Sequence, residues 1–161
     1  LDGALLSLGK ALYIACEFET KCRSLTFVLK ILEGRKAGQS DDEAFKVFTN
    51  AVLGRLVELN RLIAKRARLS DDYADMLHTA REARNYIAHD AADELSRLAR
   101  TEDGIDQWRE GMASKLEDVA IGMSIVAVLL SRKSAEPTPK QETIDSYPVK
   151  IKEWALGHSD A

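Results

Sequence analysis

Leu5, Leu8, Leu12, Ala15, Phe18, Cys22, Leu25, Leu29 and Leu32 recur at steps of three and four, with polar residues between them. That is the period of one helical face, and it predicts a first helix from about Ala4 to Glu33. Gly34 supplies a stop signal and Gly38 a turn. Ser40-Asp-Asp-Glu43 reads as a capping box, in which Ser40 accepts from a free amide and Glu43 reaches back. A second helix follows, with Phe45, Phe48, Val52, Leu56, Leu59 and Ile63 on one side, ending near Leu69. Ser70 with Asp71 and Asp72 opens a third, with acids at the positive end of its dipole. Its stripe is Tyr73, Leu77, Ala80, Ala91, Leu95 and Leu98. After the polar stretch Thr101–Gly104, a fourth helix runs from Ile105 to about Ser131, with Trp108, Met112, Leu116, Val119, Met123, Val126 and Leu130 on its stripe.

Helices of some 25–30 residues are about 40 Å long, and short connections between them make neighbours antiparallel. The expected fold is therefore all-α, an up-and-down four-helix bundle over residues 1–133. Residues 134–161 differ: Pro137 and Pro139 break any helix. The stretch Tyr147–Trp154 alternates apolar and polar residues, which predicts an extended C-terminal arm or a short terminal helix, packed on the bundle or on a second copy. No internal repeat or low-complexity tract interrupts this plan.

A chain of 161 residues, 45% hydrophobic and 30% charged, suits one domain with a proper core. Nine glycines, three prolines and few β-branched runs agree with the all-α reading. The net charge of −3 argues against binding nucleic acid through global charge, so any such binding needs a local patch. The apolar run at 121–130 is too short to span a membrane, and the start carries no signal-peptide pattern, so a cytoplasmic protein is expected. Cys16 and Cys22 stand too far around one helix to pair, and read as reduced small hydrophobes.

The candidate chemistry lies in Arg84, Asn85 and His89, written Arg-Asn-x-x-x-His inside the third helix. Arg84 is in heptad step with Leu77 and Ala91, and a guanidinium on a packed stripe is costly unless an anion meets it. That anion is either a phosphate or a carboxylate from the second or fourth helix. RNA cleavage by its own 2′-hydroxyl needs a base for that proton, an acid for the leaving 5′-oxygen and positive charge on the phosphorane. A histidine serves as acid or base near neutrality, and an arginine fork holds two phosphate oxygens. Asn85 lies one turn before His89, where it can orient the imidazole or donate to phosphate. The plainer reading of His78, Glu82, Asn85 and His89 is a solvated face opposite the apolar stripe. A metal on His78, Glu82 and His89 is short of ligands, so no metal or cofactor is expected. Arg55, Arg61, Lys65, Arg66 and Arg68, opposed by Glu58, are either a well-capped helix end or an RNA-backbone track leading to the motif, joined by Arg81 at its edge.

On Arg84, Asn85 and His89 the chain resembles the HEPN superfamily, helical-bundle proteins of prokaryotic defence and toxin–antitoxin systems, whose active members carry Arg, a polar residue, and His after a gap of four to six. The resemblance covers about residues 4–131. It implies a metal-independent endoribonuclease, acting as toxin or effector, with a site shared across a homodimer. It also implies control by a partner, such as a nucleotidyltransferase-type or other antitoxin. Relatives that have lost the motif act as scaffolds, which leaves open a silent helical module binding a protein or an anionic ligand, or an RNA- or nucleotide-binding protein without catalysis. Arg84 and His89 are about 140° apart on one ideal helix, so two antiparallel copies would present both groups to a common cleft better than one does.

Overall fold

The structure, a computed structural model, describes residues 1–43, 46, 56–134 and 137–157. Among the described residues there are six helices of eight residues or more and no strand. They are α1 (Asp2–Lys36), α2 (Leu56–Ala67), α3 (Asp71–His89), α4 (Ala91–Leu98), α5 (Glu102–Ser134) and α6 (Gln141–Leu156). The all-helical expectation holds. Of the second helix's expected residues, Phe45, Phe48, Val52 and Arg55 lie outside the described ones.

The end of α1 falls later than the first glycine suggests. Gly34 is buried inside the helix, and the stop is Gly38, at φ +77°. There the Gly38 amide donates to Arg35 O at 3.1 Å and the Gln39 amide to Gly34 O at 2.9 Å. This left-handed cap needs a residue without a Cβ penalty. The capping box forms as expected: the Ser40 amide donates to Glu43 at 2.8 Å, and the Glu43 amide donates to Ser40 Oγ at 3.3 Å.

Side-chain contacts set the helix directions. Arg84 on α3 reaches Glu19 on α1, while Asn60 on α2 donates to Leu77 O on α3 at 2.9 Å. Arg66, in the last turn of α2, meets Glu33 near the end of α1. So α3 is antiparallel to both, whereas α1 and α2 run the same way. The expectation of antiparallel neighbours rested on a short connection after the first helix, and most of the residues between Lys36 and Leu56 lie outside the described ones.

The third helix was expected to continue to Leu98, but α3 ends at His89 and α4 starts at Ala91. The rail of hydrogen bonds partly survives, with the Asp90 amide on Tyr86 O at 2.9 Å and the Glu94 amide on Asp90 O at 3.0 Å. The Trp108 indole of α5 donates to Ala91 O at 3.0 Å. A side chain entering the carbonyl row is a common cause of a kink. The buried stripe also differs from the expected one. Leu77, Ala80, Ala91 and Leu95 are buried, but so are Ala83 and Ile87, and Tyr73 is exposed. The core face therefore runs through Ala83 and Ile87, leaving Arg84 on its edge.

Phe18, Leu25, Ile63, Leu77, Ile87, Leu95 and Trp108 meet in one core with the inner face of α5. Close approach of α5 to α3 requires Gly122, where a Cβ would stand 2.5 Å from that of Ala80. Of the two readings of the C-terminal segment, an extended arm or a short terminal helix, the helix forms: it is α6, packed on α5 and α1 of its own chain. Tyr147, Ile151 and Ala155 face inward at helical spacing, while Val149, part of the apparent alternation, is exposed. Lys152 bonds Glu117 at 2.7 Å, and Lys10 donates to Trp154 O at 2.8 Å. Among the described residues no helix is long and apolar enough to cross a membrane.

Asp118 on α5 is placed at a cost. Its carboxyl is pushed above the ordinary carboxylate range, first by partial burial, with Lys115 opposing and Glu117 adding to the shift. A raised carboxyl pKa in the folded state favours folding when the group is protonated and penalises it once it ionises. Asp118→Asn is therefore expected to raise Tm at pH 7, with the gain vanishing as pH falls through the carboxylate range. Thermal melts at pH 7 and pH 3 check this; an unchanged or lower Tm at pH 7 refutes it.

Candidate functional site

Arg84 projects from the flank of α3 towards α1, its side chain only 18% exposed. Its Nη2 donates to Glu19 Oε2, and Glu19 accepts from Arg23 through its other oxygen, so one carboxylate bridges two guanidinium groups. Nη1 donates to Asn85 Oδ1 at 3.3 Å. The remaining nitrogen, Nε, is buried without a partner among the described residues. An internal ion pair was one of two readings of Arg84; it forms, but its carboxylate comes from the first helix and not the second or fourth.

Asn85 turns its carbonyl oxygen to Arg84, and no hydrogen bond joins it to His89 among the described residues. It therefore orients the guanidinium and not the imidazole. His89 is the last residue of α3, exposed, and forms no hydrogen bond or ion pair among the described residues. Its position follows from the break at Asp90.

On the outer face, Arg81 Nη2 stands 2.8 Å from His78 Nδ1, and Arg81 donates twice to Glu82, at 3.1 and 2.5 Å. The Arg81 hydrogen bonds hold the Glu82 carboxyl below its usual range. A cation thus occupies the lone pairs that a metal on His78 and Glu82 would need. Among the described residues no group of three or more His, Cys, Asp or Glu is arranged to hold a metal ion.

The basic end of α2 is not beside the motif. Arg66 is paired with Glu33, fourteen residues along α1 from Glu19, which is about 20 Å at the helical rise. Arg61 and Lys65 are exposed on the same helix, and Arg68 is exposed just past its end. Arg68 takes φ +53° at the helix end, where the Leu69 amide caps Ala64 O at 3.1 Å. Cys22 is buried and its thiol is pushed well above its ordinary range by that burial, while Cys16 is exposed.

Sequence reasoning missed Glu19 and Arg23. Their four-residue spacing is a visible signal for a helical ion pair, but nothing local ties it to Arg84. It also missed Tyr86, whose hydroxyl donates to Glu94 across the kink and whose ring lies 5.8 Å from Lys115 Nζ. An open apolar groove of about 450 Å³ between α3, α5 and α6, lined by Tyr73, Met76, Ile125, Arg132, Ile144 and Pro148 among others, contains no motif residue. The chain matches no protein-family model, no curated protein and no solved structure.

Proposed function

We propose that this chain is a metal-independent endoribonuclease of HEPN type, built as a four-helix bundle with a terminal helix and working as a cytoplasmic homodimer. It would serve as toxin or effector of a defence module, held in check by an antitoxin protein. The observation that carries the reading is the state of Arg84 and of His89, five residues on along α3. A guanidinium has five N–H donors; Glu19 and Asn85 engage one each, which leaves one N–H on each terminal nitrogen, while Nε is buried. Five residues on, His89 is exposed and unengaged. A phosphate is an oxyanion of the same bidentate kind as the Glu19 carboxylate, so it suits the remaining donors.

In this reading a base removes the RNA 2′-hydroxyl proton, and the 2′-oxygen attacks phosphorus. The 5′-oxygen leaves with a proton from an acid, giving a 2′,3′-cyclic phosphate and a 5′-hydroxyl. His89 is the proton-transfer group, and His89 of a second copy is the complementary one. Arg84 neutralises the phosphorane. Arg81 lies at the edge of this cleft, whereas Arg61, Lys65 and Arg68 would meet only a strand extending about 20 Å along the bundle.

The Arg84–Glu19 ion pair favours a second reading, a catalytically silent module in which Arg84 is structural. Incubating the purified protein with mixed RNA in excess chelator separates the two. Cleavage leaving 2′,3′-cyclic phosphate ends is expected. Cleavage that requires a divalent ion, or that leaves 3′-hydroxyl ends, rules out this mechanism; no cleavage favours the silent module.

A further inference from the structure

Ile121, Ile125 and Val128 of α5 make a second apolar stripe beside the one that faces the core, and all three are half-buried. They stand at steps of four and three, the spacing of one helical face. Tyr73 and Met76 of α3 line the same groove; Leu77 and Ala80, one turn further along, are buried, but these two are 52% and 44% exposed. Ile144 and Pro148 of α6 form the third wall. The apolar rows of two packed helices therefore meet in an open groove of about 450 Å³, and a further helix laid along that seam would bury both rows.

The charges at the two ends of the groove restrict what fits. Past Met76 and Ile121 it continues into a hollow lined by Asp72, Asp75, Thr79 and Asp118. None of the three carboxylates forms an ion pair among the described residues, although Asp118 is partly buried. Arg132, likewise outside any ion pair among the described residues, lines the other end. It is fourteen residues from Asp118 along α5, which is about 21 Å and the length of four helical turns. A helix with acids in its first turn and bases in its last is favoured by its own dipole. Laid antiparallel to α5, such a helix sets its acids on Arg132 and its bases on Asp72, Asp75 and Asp118. A helix with the charges exchanged meets like charge at both ends, which is unfavourable.

We infer that the groove between α3, α5 and α6 docks a helix of a partner protein, one that carries apolar side chains at steps of three and four and a basic last turn. Such a helix in an apolar groove is held by its anchors and oriented by its charged ends. The inference is independent of RNA cleavage, because the groove contains no motif residue and the test reads binding alone.

The probe is a fluorescent synthetic helix of about fourteen residues, with glutamates in its first turn, leucines at steps of three and four, and arginines in its last turn. A control peptide has the two charged turns exchanged. Anisotropy with the full chain should show micromolar binding of the probe and roughly tenfold weaker binding of the control. Asp72→Asn with Asp75→Asn should weaken the probe roughly tenfold and leave the control no weaker. Tyr73→Ala should weaken both peptides by tenfold or so, as loss of an aromatic anchor does. All three positions are exposed, so these variants keep the core intact. No binding of the probe, equal binding of probe and control, or binding that survives both sets of substitutions overturns the inference. So does a self-associated chain in sedimentation that Tyr73→Arg dissociates, since the occupant is then a second copy.

Discussion

His89→Ala is expected to slow RNA cleavage by roughly 10²–10⁴-fold, the usual contribution of a positioned proton-transfer group, with the fold unchanged. The side chain is exposed at the end of α3 and makes no contact that stability depends on. Arg84→Ala should cost a comparable factor, roughly 10²–10³-fold, through lost charge on the phosphorane. It should also lower stability, because Glu19 and Arg84 are each less than one-fifth exposed and Glu19 would keep only Arg23 as its partner. Asn85→Ala should be milder than either, since Asn85 orients the guanidinium and transfers no proton. Single-turnover rates on one RNA substrate, with circular dichroism on each variant, check the series. Near wild-type cleavage by His89→Ala sinks the catalytic assignment. Unfolding of Arg84→Ala, with cleavage absent from the parent protein, makes the ion pair structural.

The largest effect on stability is expected at Trp108. It is 1% exposed, and its indole donates to Ala91 O at the kink between α3 and α4. Trp108→Ala should cost about 3–5 kcal/mol, from the lost burial and the cavity left behind. For a domain of this size that is a Tm drop of roughly 10–15 °C. Trp108→Phe should fall between, keeping most of the ring and leaving Ala91 O without its donor. Because the same contact shapes the end of α3, both variants should also reduce any activity that depends on His89. A stability loss under about 1 kcal/mol for Trp108→Ala would mean that the core tolerates this position's collapse.

Much of the fold was legible locally. The three-and-four spacing of Leu8, Phe18, Leu25 and their neighbours predicts α1, and its inner side chains are buried. The Ser40–Glu43 capping box is readable from four adjacent letters, because every bond in it spans at most three residues. Ser70 takes the N-cap position of α3, although without a side-chain hydrogen bond. The terminal helix α6 was harder. Tyr147, Val149 and Ile151 mimic a strand's alternation, and only packing on the core selects the helical face of Tyr147, Ile151 and Ala155.

The candidate site divides the same way. The choice of Arg84, Asn85 and His89 needed only their order and their helical setting. Local chemistry also sufficed to foresee a carboxylate or phosphate on Arg84, since a guanidinium on an apolar flank demands an anion. Tertiary structure alone decided that the carboxylate is Glu19, sixty-five residues away. It decided that the third helix breaks at Asp90, leaving His89 exposed at its end, and that the basic end of α2 lies about 20 Å along the bundle from the motif. Each of these depends on how one helix lies against another, and helix direction and register are set by packing across the core, where short-range periodicity carries no information.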